Sequence, residues 1–183
     1  MREHHAAVPS RAMDVDRLLR DRREKDAFLR DHYASPVPDD QRASFTGLDY
    51  FDPDPAWRIP AVVEVTEPTR TPIPSTSGVD RDYTLVGWAN VEIGESSYRL
   101  GILDDGDGGR FIPFRDGTAG AETYEGGRYV GVHVTATGET FIEFNDAHNP
   151  WCVYDEDFTC PLPPPGNRIA ERITAGERMY RPG

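Results

Sequence analysis

The side chains equipped for chemistry crowd into residues 140–168, TFIEFNDAHNPWCVYDEDFTCPLPPPGNR. Glu143 offers a carboxylate suited to general-base work and Cys152 a thiol suited to nucleophilic attack. His148 is the base nearest to Cys152 in the sequence. These three form the candidate catalytic set. The stretch also admits a metal reading, zinc or iron on His148, Cys152 and Cys160. The spacing H-x3-C-x7-C is not a standard zinc pattern, and a closed site wants a fourth ligand. No cofactor is therefore expected, and two free thiols lead over both a metal and a Cys152–Cys160 disulfide.

A second polar block precedes the first, FIPFRDGTAGAETYEGGRYV at 111–130. Arg115 and Arg128 are natural bidentate partners for a carboxylate, and the interspersed glycines allow tight turns and close backbone approach. With Asp116, Tyr124, Asn145 and Asn149 they are expected to hold a small polar or anionic ligand in a pocket under the 145–168 loop. The competing expectation is an internal ion-pair and turn network, with Arg128 holding Glu122, Glu125 or Glu143. The chain would then be a non-catalytic scaffold or interaction module, making contacts through Trp57, Trp88 and Trp151. Enzyme and binding module both stay open, as does assembly into a homo-oligomer.

Composition narrows the partners. The 183 residues carry 32 acidic and 20 basic side chains, a net charge of -12, and Lys25 is the sole lysine. Such a surface repels phosphate backbones and anionic membranes, so neither nucleic acid nor membrane is an expected partner. A salt-rich cytoplasm favours this composition, and a high-GC genome also replaces Lys by Arg. No Walker lysine follows a Gly-rich loop, GxSxG and HExxH are absent, and residues 117–120 are too short for a Rossmann fingerprint. DDGDGG at 104–109 fails as an EF-hand, because Arg110 and Asp116 stand where Gly and Glu are required. A Gly-rich hairpin turn is the better reading. The start lacks an apolar signal core and nowhere do 18 apolar residues run together, so a cytoplasmic protein is expected.

The elements that must position these residues are mostly strands. Residues 1–13 are expected to be disordered and 179–183 a tail, leaving one domain over 14–178. A helix is expected over 14–33, its charges alternating at four-residue spacing (Arg17/Asp21, Arg20/Glu24, Arg22/Asp26, Asp26/Arg30) as on an exposed face. Strands are expected at 61–65, 83–93, 98–103, 110–114, 128–134 and 140–145, with a last short one at 169–173, while 67–80 with its three prolines reads as loop. The sum is mainly β: an antiparallel barrel or strongly curled sheet, crossed by the N-terminal helix and followed by a Pro-rich C-terminal loop.

Several segments together resemble the uncharacterised bacterial and archaeal family called domain of unknown function 1684. They are FTGLDYF at 45–51, FIPFRDGTAGAETYEGGRY at 111–129, EFNDAHNPWCVY at 143–154, CPLPPPGNR at 160–168 and AGE at 175–177. The resemblance covers about residues 14–178 and implies no activity. It marks Arg115, Asp116, Glu122, Thr123, Tyr124, Arg128, Asn145, Asn149, Cys152, Cys160, Asn167 and Arg168 as matching positions. The family pattern reads D-F-N and A-Y-N-P where this chain has Glu143 and His148, which weakens a mechanism that depends on His148.

Overall fold

The computed structural model describes residues 13–106 and 108–181. The expected disordered segment at 1–13 thus lies outside the described residues, apart from Met13.

The chain first forms α1, Val15–Asp31. The Asp14 side chain accepts from Arg17 N and supplies the N-cap. Beyond the last turn the Ser35 hydroxyl donates to Leu29 O, as the backbone turns out of the helix ahead of Pro36. Leu18 and Leu29 are buried. Two of the expected helix pairs form, Arg17–Asp21 at 2.8 Å and Arg20–Glu24 at 4.0 Å. Arg22 and Asp26 instead turn inward. Arg22 donates to Phe51 O at 3.0 Å, and Asp26 accepts from Leu48 N at 3.1 Å. The charged face is therefore half solvent-facing and half a clamp on the 45–51 segment.

Seven strands follow: β1 Arg58–Ile73, β2 Arg81–Ile93, β3 Ser96–Asp104, β4 Arg110–Phe114, β5 Arg128–Val130, β6 Val132–Val134 and β7 Thr140–Glu143. They make one antiparallel sheet in the order β5-β4-β3-β2-β1-β7-β6. Its two edge strands are consecutive in the chain, separated only by Gly131. The sheet must therefore curl until its edges approach, which gives a half-barrel. The inner face follows the alternation expected of β2, with Gly87, Ala89, Val91 and Ile93 all buried. They pack with Leu100, Ile112, Phe114, Val130, Ile142 and Phe144. Gly87 sits where the β2–β3 register slips, and a Cβ there would lie 2.5 Å from Glu64 O.

Two expectations need correcting. Residues 67–73 are strand, not loop: β1 runs on to Ile73, with a register shift between Val65 and Thr69 that takes up Pro68. Among the described residues only β2 pairs with β1 beyond residue 60, so this stretch is an edge, where prolines are tolerated. Residues 169–173 form no strand. Ile169 and Ile173 are core residues, but Ile169 N donates to Arg115 O, while Ile173 N is taken by the Asp116 carboxylate. A side chain has replaced the neighbouring strand. Likewise the expected 140–145 strand stops at Glu143, and Phe144–Asp146 is a 3-10 turn.

Candidate functional site

Residues 145–148, in and just after the 3-10 turn that follows β7, and the middle of α1 border a cleft of about 360 Å³, within the range of small-molecule sites. Arg17, Asp21, Arg22 and Lys25 line it from the helix. Tyr50, Asn145, Asp146, His148 and Glu177 line the opposite side. Most of its charges cancel. Arg17 donates to both oxygens of Asp146 at 3.0 Å and also to Asp21. Lys25 meets the buried Glu177 carboxylate at 2.5 Å. Glu177 is further held by Asn149 N at 2.8 Å and by the Tyr154 hydroxyl.

Arg22 differs. Its partners are neutral carbonyls, Phe51 O and Asn145 O, and it has no ion pair among the described residues. Its guanidinium lies 4.4 Å from the Tyr50 ring centroid, and its Nε is buried with no acceptor. Among the described residues the Tyr50 hydroxyl is likewise buried without a geometric hydrogen bond, although the Asp26 carboxylate is close enough to act on it. Burial pulls the Arg22 guanidinium below its ordinary range and pushes the Tyr50 phenol up. His148 Nδ1 faces Asp146 O at 3.3 Å. Burial first, and the Lys25 charge second, push its imidazole below the usual value, so it is held neutral.

The residues singled out in the sequence divide among several places. Asn145 and His148 line the cleft, and Asn149 holds Glu177 behind it. Asn145 also clamps the end of β7 to the 54–57 turn. It accepts from Asp54 N at 3.0 Å, and it donates to Asp54 O and to Glu143 Oε1. Glu143 is 1% exposed, with Arg58 Nη1 3.7 Å from its second oxygen, and it does not line this cleft. Arg115 is exposed and takes part through its backbone.

Arg128 is 1% exposed and pairs with Asp116, at 3.3 Å. It also donates to Ile173 O, Ala175 O and Glu177 O. Asp116 in turn accepts from Thr118 N, the Thr118 hydroxyl and Ile173 N. This is the internal network offered as the alternative for Arg128, with Asp116 in place of the expected glutamates. Tyr124 lies by the cysteines, and its phenol is pushed up to about 12 by burial and then by the two thiols. Both cysteines are free. Among the described residues no group of three or more His, Cys, Asp and Glu could hold a metal.

Sequence reasoning missed Arg22, Lys25, Tyr50 and Glu177. A lone lysine in an arginine-rich chain is itself a signal, and Lys25 is that lysine. Of the three tryptophans, only Trp151 is exposed, at 48%; Trp57 and Trp88 are half-buried, with Arg99 lying over the Trp88 ring. No described helix is long and apolar enough to cross a membrane.

A solved structure with this architecture is the solution NMR structure of the uncharacterized protein from gene locus rrnAC0354 of Haloarcula marismortui. It is 37% identical, with a TM-score of 0.68 over 91% of this chain and 97% of that one. No curated protein matches this chain. A family model described as "Protein of unknown function (DUF1684)" matches residues 43–178, from the clamp beneath α1 to the end of the Glu177 segment. With the half-barrel and the relative's shared fold, that match establishes that the chain belongs to the DUF1684 family.

Proposed function

We propose that the protein binds a small anionic or strongly polar molecule in the cleft between α1 and residues 145–148. The supporting observation is Arg22, a cation lining the cleft with neutral partners, an unused Nε donor and an unpartnered Tyr50 hydroxyl beside it. Buried polar groups without partners cost roughly 1–3 kcal/mol each. A ligand oxygen that reached both would remove that penalty and neutralise a partly desolvated charge. Both atoms are buried, so the ligand engages them after Arg22 rotates away from the Tyr50 ring. The Arg17–Asp146 and Lys25–Glu177 pairs would then act as walls that fix the shape of the site.

A thermal-shift panel of succinate, glutamate and inorganic phosphate at millimolar concentration tests this. At 100-fold excess over Kd, binding adds about 2.7 kcal/mol to stability. At least one member should raise Tm for the native chain, and Arg22→Gln and Tyr50→Phe should abolish the rise while Arg115→Ala retains it. Equal rises in the native chain and Arg22→Gln, or no rise with any member, would contradict the proposal.

A further inference from the structure

Away from the cleft, the 151–160 loop folds back on itself. Tyr154 N bonds to Trp151 O at 2.9 Å, and Phe158 N to Asp155 O at 3.2 Å. The Trp151 and Phe158 rings meet edge to face, with centroids 5.4 Å apart. The fold-back brings the Cys152 backbone N–H to Cys160 Sγ, to which it donates at 3.4 Å, so the two cysteines lie side by side. Cys160 is fixed on its other side. Its N donates to the Thr76 hydroxyl at 3.1 Å, and its O accepts from Thr76 N at 3.0 Å.

We propose that Cys152 and Cys160 form a redox-active dithiol that is oxidised to an intramolecular disulfide by small hydroperoxides, with Cys160 as the attacking sulfur. The donors around Cys160 select it. The Cys152 thiol first, then the N–H groups of Cys152 and Trp151, hold the Cys160 thiol down to about 6. Cys152 is pushed up by the adjacent Cys160 thiol and by burial. It thus remains a protonated thiol while Cys160 carries the charge. Cys160 is only 8% exposed, so its oxidant must be small.

The chemistry balances as follows. Cys160 thiolate attacks the terminal peroxide oxygen, the O–O bond breaks, and the departing alkoxide or hydroxide takes a proton from water. Cys160 is now a sulfenic acid. The Cys152 sulfur attacks the Cys160 sulfur, the S–O bond breaks, and water leaves with the thiol proton. The peroxide gains two electrons, one from each cysteine. Forming an S–S bond of about 2.05 Å draws the half-buried Cys152 side chain toward the Cys160 sulfur that its own backbone N–H already contacts. Nothing in this proposal depends on ligand binding in the cleft.

The test treats the reduced, desalted full chain with a small excess of hydrogen peroxide. Intact mass should fall by about 2 Da, as two thiol protons are lost on bridging. Peptide mapping should place the bridge between residues 152 and 160, and dithiothreitol should reverse it. Oxidation should slow as pH falls below about 6, where the Cys160 thiolate is lost. The Cys152→Ser variant should accumulate a dimedone-reactive sulfenic acid on Cys160. Retention of both thiols, a bridge between two chains only, or oxidation no faster than that of free cysteine would overturn the proposal. The mass measurement needs no variant, so misfolding of a substituted chain cannot decide it.

Discussion

Two arginines, Arg128 and Arg22, show how one residue type serves opposite ends. Arg128 is enclosed, with three backbone carbonyls and the Asp116 carboxylate gathered about its guanidinium. It ties β5 to the 173–177 segment and leaves a ligand nothing to compete for except Nε. Arg22 is half-buried, with two carbonyl partners and no carboxylate. The two regions meet at Glu177, whose backbone oxygen accepts from Arg128 while its carboxylate receives Lys25. A buried guanidinium closed in by a carboxylate and three carbonyls is scaffold, and one left at a cleft with neutral partners alone is the candidate for binding a ligand.

Removing Arg128 from its buried network should have the largest effect. Arg128→Met leaves Asp116 and three carbonyls buried without their partner, so a loss of about 3–5 kcal/mol in urea unfolding is expected. A loss below about 1 kcal/mol would remove the contrast. Asn167 is the next test. Fully buried, it accepts from Gly101 N at 2.7 Å and donates to Gly101 O and Pro113 O. Asn167→Ala should cost about 3 kcal/mol by orphaning these groups, with cleft binding intact in whatever remains folded.

The two predictions also show why the sequence revealed the sheet better than the site. The inward series at Gly87, Ala89, Val91 and Ile93 is a period-2 pattern, readable because burial on one face dictates it. The prolines in 67–73 misled, because the openness of a strand edge is a property of its neighbours. Ile169 and Ile173 show the reverse case: their pattern is that of a core strand, yet Asp116 takes the backbone donor. Arg128 stood out among glycines and acids, but its partners, the carbonyls of 173, 175 and 177, have no side-chain signature. For Arg22 and Tyr50 the limit is geometric. No local pattern says that α1 lies over residues 145–148.

A subtler effect concerns pH at the cleft wall. The folded state holds His148 below its ordinary value of about 6.5, so the unfolded chain binds the proton more tightly. Stability from this residue is complete above about 6.5 and is lost as pH falls from there toward the depressed folded value. His148→Tyr should flatten the pH dependence of Tm between about 6.5 and 5, where carboxylates contribute little. An unchanged slope would mean that the imidazole is not held neutral. The smallest effect is expected at Arg115, whose side chain is exposed and makes no hydrogen bond or ion pair among the described residues. Urea unfolding should shift by less than about 0.5 kcal/mol, and a larger loss would place it in the scaffold beside Arg128.

The most direct test of the account is NMR of the arginine Nε–H signals during titration with the panel member that gives the largest thermal shift, or with succinate if none does. The account predicts that the Arg22 signal moves in a saturable manner while those of Arg128 and Arg115 stay in place. A stationary Arg22 signal, or movement confined to Arg115, would contradict it.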